Sequence, residues 1–414
     1  MKRNLIALVI VVIALFSCNK DTTVPIPSAG PNSIMKETHP LNASSKYFME
    51  GVYQVTGGAD FFGDYVILKW NRTSLSISNK DGKHFILDVG HLDSVIFLQG
   101  YWRNGYSDGT GLISMTIARK EGGTTILNGY GKQKITMRGA YGKENGLPDQ
   151  ALELEFLRPF SDKVKNTKFY ILAHRAGGRT SDRLPVSENS IAMINYTEKL
   201  GSTGIEVDVR LSKDGVPYLY HDGDLNTRLT QKGPLAGPSE NYTWAQLSAF
   251  VRLIHGEMIP TLEEALNFTI DSTNLGFVYL DMKGDPGAMA KVIPIQQAAI
   301  DRAVQKGRDI RIVVGIPSTD VMNDLMTYPD YKAIPSLCEL TVDDVHAVNA
   351  AVWAPRWTLG TQNDLVLQMH NEGRLAVCWT IDQPSWIKDY IENGIFDGLL
   401  TNFPYVVAYY HYIQ

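Results

Sequence analysis

Along the first part of the chain, apolar and polar residues alternate in short runs. Such runs cover residues 51–55, 65–70, 74–78, 85–89, 95–101, 112–118, 125–127, 135–138 and 152–156. A period of two places every second side chain on one face of a strand. Turn-forming clusters separate the runs: "NKDGK" at 79–83, "EGG" at 121–123 and "NGLPD" at 145–149. Short strands at this spacing predict a small all-β sandwich or barrel over residues 47–160.

After Phe160 the rhythm changes. Strand-like runs at 168–174, 203–209, 276–282, 309–316, 333–339, 350–354, 374–380 and 396–401 alternate with helical stretches. The helices include 191–200, 262–268 behind the capping box Thr261…Glu264, and 363–371. Eight parallel strands in about 250 residues is the size and rhythm of an α/β TIM barrel, here over 161–414. A ninth run, 216–221, follows its predecessor after the tight turn Lys213-Asp214-Gly215. A parallel partner needs a crossover of about a dozen residues, so this run is expected to fold back antiparallel as a hairpin flap. A two-residue turn pairs residue 208 with 221; a looser one pairs 207 with 221. Both bring His221 to the level of Asp208.

The ends add less to the fold and more to the address. Lys2 and Arg3 precede an apolar run from Leu5 to Phe16, then Ser17 and Cys18. That is a charged, apolar and small-residue succession, too short for the about 20 residues of a membrane span. "LFSC" resembles a bacterial lipoprotein signal over residues 1–18, with Cys18 as the lipidated first residue of the mature chain. The alternative is an ordinary secretory signal with a stray cysteine. Residues 19–46, with Pro25, Pro27 and Pro31, are expected to form a flexible tether. The chain is therefore expected to be exported and lipid-anchored to a bacterial membrane, on its periplasmic or cell-surface side. Of 414 residues, 44% are hydrophobic and 20% charged, and the net charge of -5 argues against a nucleic-acid partner. Cys338 and Cys378 sit in apolar runs and are expected as buried thiols.

The candidate chemistry gathers at strand ends. Glu206 and Asp208 share one face of the 203–209 strand, while Ile205, Val207 and Val209 share the other. TIM-barrel sites lie at the C-terminal ends of the strands. Two carboxylates on a buried face repel unless one is protonated or a cation lies between them, and hard oxygens favour Mg²⁺ or Ca²⁺. The alternative is a structural ion pair with Arg210. Strand 168–174 delivers His174 and Arg175 to the same rim, and strand 276–282 delivers Asp281 and Lys283. Two histidines can serve as acid and base, and the cations can stabilise an anionic transition state. The set points to phosphoryl transfer.

"HRAGG", "ENS" at 188–190, "GIEVDVRLSKDGVPYLYHD", "IPTLEEAL" at 259–266, "LDMKG" and "FDGLLTNFP" occur in the order seen in glycerophosphodiester phosphodiesterases. The resemblance covers roughly residues 168–406. It implies a PLC-like TIM barrel that hydrolyses a small-molecule glycerophosphodiester to glycerol 3-phosphate and an alcohol. It implies that Glu206, Asp208 and Asp281 bind one divalent cation, Ca²⁺ or Mg²⁺. By the same resemblance His174 and His221 are the acid/base pair, Arg175 and Lys283 hold phosphate, and Glu188 and Asn189 support the site from behind. Residues 222–259 would cap the barrel mouth, and Trp379 would form a pocket wall. The chain departs from the family at Ala176, at Ser187, at Asp281 where Glu is usual, and at Asn402 where Asp is usual. Two rivals remain: a PLC-like diesterase acting on intact phospholipid or an envelope polymer, and a non-catalytic surface lipoprotein binding glycan or lipid. The ligand of the β-domain is unknown.

Overall fold

Alternation in the first half produces eight antiparallel strands, Gly51–Gly57, Tyr65–Trp70, Leu75–Ser78, Lys83–Leu92, Val95–Asn104, Thr110–Ile117, Thr136–Tyr141 and Gln150–Arg158, which close into a barrel. The computed structural model describes residues 26–28, 30, 33–129, 134–143 and 146–414. Residues 1–25, with Cys18, lie outside them. Inward-facing Tyr53, Phe62, Leu68, Phe85, Leu87 and Trp102 fill the barrel interior.

Two expectations change here. The run 125–127 is not a strand but part of the helix Gly123–Asn128. Gly122 and Gly129 flank it with φ of 117° and 71°, and both turn the chain in ways that end a strand. The stretch expected as a tether is, from Ser33 onward, a strap on the barrel. Ser33 Oγ donates to Gln99 Oε1 at 2.6 Å, and His39 pairs with His91. The helix Ala43–Met49, capped by Asn42, begins within that stretch. Burial of Leu41 and Met49 holds the strap down.

The second half forms the expected parallel barrel. Its strands are Tyr170–Ala173, Gly204–Leu211, Phe277–Met282, Arg311–Ile316, Ser336–Cys338, Val352–Trp353, Leu375–Cys378 and Gly398–Thr401. Pairing of the second strand with the first closes the ring. Outward-facing Ile205, Val207 and Val209 pack in the core under the helices. The flap strand Pro217–Leu219 runs antiparallel to Gly204–Leu211, pairing Val209 with Leu219 and Leu211 with Pro217. This is the register of the looser turn, in which Gly215 takes φ 79°. Residues 222–259 carry a two-stranded ladder, Asp224–Leu225 with Gly237–Pro238, and the helix Trp244–Phe250. Tyr242 and Trp244 pack on the insertion's own core of Leu225, Leu229, Leu247 and Val251, whereas Phe250 is exposed. Cys338 and Cys378 are free and buried.

The two barrels are docked. The helix Pro404–Tyr412 lies between them: Tyr405 stacks on His84 at 4.0 Å, and Tyr409 packs with Val52 and Ile67. Arg72 Nε donates to Glu198 at 2.7 Å across the same seam. No helix among the described residues is long and apolar enough to cross a membrane.

Candidate active site

Register brings the acids together. Glu206 and Asp208 alternate with the outward valines and so face the barrel interior. Asp208 lies directly beside Asp281 on the neighbouring strand, and Ile205 beside Ala173, one residue before His174. The result is a cluster of Glu206, Asp208 and Asp281 oxygens all within 4.8 Å of one another. Glu206 and Asp208 are 1% and 0% exposed, so their repulsion is barely screened.

Each acid is gripped on one side. The Arg175 backbone N–H donates to Glu206 Oε2 at 2.6 Å. Asn189 Nδ2 donates to Asp208 Oδ2 at 2.5 Å, and Asn189 Oδ1 accepts from the Asp208 N–H. Lys283 Nζ stands between the remaining acids, 2.5 Å from Asp208 Oδ1 and paired with Asp281. Glu206 Oε1 has no hydrogen-bond partner among the described residues. Burial pushes Glu206 well above the usual carboxylate range, and Asp208 and Asp281 add to the rise. Asp281 is raised mainly by burial, against the pull of Lys283. Burial works against the Asp208 anion too, but Lys283, His221 and Arg175 hold it below the usual range. Two buried carboxylates and a half-buried third, one of them with an unpaired oxygen among the described residues, fit a hard divalent cation. Arg210, the alternative partner, instead reaches Asp285 and the His221 carbonyl.

The histidines are fixed through Nδ1. His174 Nδ1 lies 2.8 Å from Asn402 Oδ1, and His221 Nδ1 lies 2.7 Å from Asp222 Oδ1. The Asn402 amide nitrogen is committed to Asp382 at 2.7 Å, so its oxygen faces the imidazole. Burial, then Arg175, lowers His174 to about 4. His174 Nε2 points toward Glu206 Oε2, 3.9 Å away. Asp222 is itself held by Arg228 and by Asn226 Nδ2 at 2.7 Å. Arg175 Nη2 contacts His221 Nε2 at 2.8 Å, and Arg175 Nη1 donates to Glu188 at 2.8 Å. Arg175 and Ala176 both take left-handed backbone, φ 53° and 68°. A glycine would occupy this conformation without strain.

Trp379 lies at the end of its strand against the inner barrel cluster, with Nε1 on the Ala354 carbonyl at 2.7 Å and Arg356 over its ring. Sequence reasoning passed over Asp222, Arg228 and Asp382, and over Glu339, whose carboxylate accepts from Tyr279 Oη at 2.6 Å beside Asp281. Burial, then Asp281, raises Glu339 to about 8. Asp222 was signalled by its place next to His221, and Arg228 lies only six residues beyond it; Asp382 and Glu339 join segments farther apart in the chain.

The profile of the "Glycerophosphoryl diester phosphodiesterase family" matches residues 174–406, more than half the chain. The chain belongs to this family. Its members are phosphoric diester hydrolases. The "Probable glycerophosphodiester phosphodiesterase 2" of Mycobacterium tuberculosis is 26% identical over 245 residues, 56% of this chain and 86% of that protein. The glycerophosphodiester phosphodiesterase of Bacillus altitudinis is 24% identical over 235 residues, 52% of this chain and 89% of that one. A solved structure of a glycerophosphodiester phosphodiesterase from Agrobacterium tumefaciens is 19% identical with a TM-score of 0.45, covering 58% of this chain and 97% of its own. The β-barrel lies outside the matched region.

Proposed function

We propose that the chain hydrolyses glycerophosphodiesters to glycerol 3-phosphate and an alcohol, with His174 as first-step base and His221 as first-step acid. The observation that carries this reading is the convergence of two histidines, each tied at Nδ1 and each with Nε2 turned inward, on the Glu206–Asp208–Asp281 cluster. Glu206, Asp208 and Asp281 would hold a divalent cation, Ca²⁺ or Mg²⁺, which supplies Lewis-acid and template chemistry when bound.

His174 is suited to the base role because its Nδ1 proton is held by a neutral amide and burial keeps the ring uncharged. Its Nε2 lone pair accepts the proton of the substrate's glycerol hydroxyl as that oxygen attacks phosphorus. His221 is backed by the Asp222 carboxylate, which stabilises an imidazolium. Arg175, which contacts His221 Nε2 in the resting site, turns to the phosphate oxygens and frees that nitrogen, which takes up a proton from solvent before the first step. His221 Nε2 then protonates the departing alcohol as its bond to phosphorus breaks. Water next opens the cyclic phosphate: His221 takes the water proton, and His174 returns its own to the glycerol oxygen. Lys283 balances charge on the acids and on the phosphate.

Roles are tested with leaving groups of different acidity. His221→Ala is expected to lose roughly 10²–10⁴-fold on an alkyl diester and far less in the first-turnover release of 4-nitrophenolate from a 4-nitrophenyl diester, whose leaving group needs no proton. His174→Ala is expected to lose equally on both. Equal losses for both variants would remove the assignment. Export and anchoring through a lipidated Cys18 belong to the same proposal and rest on the terminal pattern. Membrane association unchanged in Cys18→Ala would contradict them.

A further inference from the structure

The hairpin tip between the strands Val95–Asn104 and Thr110–Ile117 of the N-terminal barrel reaches the rim of the catalytic barrel. Tyr106 is its leading residue. The tyrosine hydroxyl donates to the Asp382 carbonyl at 2.7 Å. Its ring lies on Phe403 at 4.3 Å. The contact is built for closeness. A Cβ on Gly82 would fall 2.6 Å from the Tyr106 ring, and one on Gly105 would fall 1.6 Å from the Tyr405 hydroxyl. Any side chain at either glycine would push the tip away.

From Asp382 the contacts lead straight to a histidine. The Asp382 carboxylate accepts from the Asn402 N–H at 2.9 Å, from Asn402 Nδ2 at 2.7 Å and from Thr401 Oγ1 at 3.2 Å. These bonds set the amide so that Oδ1 meets His174 Nδ1. A second grip falls on the loop after His174: Arg103 donates to the Arg183 carbonyl at 2.9 Å, and Asp108 pairs with Arg183. The N-terminal barrel thus holds both loops that flank this imidazole.

We propose that Tyr106 is a positioning residue for the diesterase reaction, acting through Asp382 and Asn402 to fix the tautomer and placement of His174. The all-β barrel is then a working part of the catalytic site and not a spacer. The proposal rests on His174 taking part in the chemistry. Its logic is that of outer-shell partners generally, whose loss shifts function roughly 10- to 100-fold through the group they orient.

The test is Tyr106→Phe in the full chain, which removes one oxygen and keeps the ring. Two readings are taken. In steady state, kcat on a glycerophosphodiester is expected to fall roughly tenfold, with KM and the melting temperature unchanged. In the resting protein labelled with ¹⁵N-histidine, His174 is expected to show a single Nδ1–H tautomer in wild type and a mixture in the variant. The tautomer reading needs no substrate, so it separates failure of this proposal from failure of the diesterase reading. Asp108→Asn, which loosens the grip on the loop after His174 and leaves the Tyr106–Asp382–Asn402 contacts in place, is expected to leave the His174 tautomer as in wild type. Wild-type kcat and wild-type His174 nitrogen shifts in Tyr106→Phe would overturn the proposal. So would a loss of activity matched by a lower melting temperature with the tautomer unchanged, since the tyrosine would then only dock the barrels.

Discussion

In the proposed mechanism Asp222 governs His221, because a carboxylate at Nδ1 sets both the tautomer and the tolerance for positive charge. Asp222→Asn keeps the size and removes the charge. It is expected to lower turnover of an alkyl diester by roughly 10²-fold or more, measured as kcat with metal saturating. Asp281 is one methylene shorter than a glutamate, yet it stands level with Asp208 on the adjoining strand. Calorimetry of metal binding is expected to give an affinity at least roughly tenfold weaker in Asp281→Asn and near wild type in Asp281→Glu. Wild-type affinity in Asp281→Asn would mean that Asp281 serves Lys283 alone. That the acids, His174 and His221 meet on one rim was legible from sequence, because each lies on or just beyond a strand with a clear apolar face. Asn402 and Asp382 were not. Asn402 meets His174, 228 positions away in the chain, and Asp382 reaches it only through Asn402; no periodicity links them.

The strand Gly204–Leu211 does most to assemble the site, since it carries two acids and starts the flap that returns His221. Its first residue closes the ring. A Cβ on Gly204 would fall 2.6 Å from the Leu172 side chain and 2.7 Å from Phe277 Cβ. Gly204→Ala is therefore expected to destabilise the fold by about 1–3 kcal/mol, read from urea unfolding. The eight parallel strands and the flap were readable because alternation and an Asp-Gly turn are strong local signals. The helix at Gly123–Asn128 was misread because three of its residues, Thr124, Thr125 and Ile126, are β-branched. There the flanking glycines and the burial of Ile126 overrode propensity. The strap from Ser33 was missed for a related reason: it buries isolated residues such as Leu41, which leave no period.

Across the whole molecule, the seam between the barrels contains a buried imidazole. His84 is stacked on Tyr405, and burial, then Arg103, lowers its pKa to about 3. The folded state therefore takes up this proton later than the unfolded chain, whose histidine titrates near 6.5. The stabilising contribution is fully present above pH 6.5 and drains away as the pH falls toward 3. At pH 5 the loss from this one group is about 2 kcal/mol. Unfolding at pH 7 and pH 5 is expected to show a smaller drop in His84→Gln than in wild type; an equal drop would place the acid sensitivity elsewhere. Under the proposal for Tyr106, this seam bears on function, because the same barrel carries the hairpin tip that reaches Asp382. The most direct measurement is glycerol 3-phosphate release from a water-soluble glycerophosphodiester by the full chain, with and without a chelator. The expected result is steady release that stops with chelator, returns when divalent cation is restored, and is absent in His174→Ala. Release that is indifferent to chelator, or undiminished in His174→Ala, would contradict the site described for this protein.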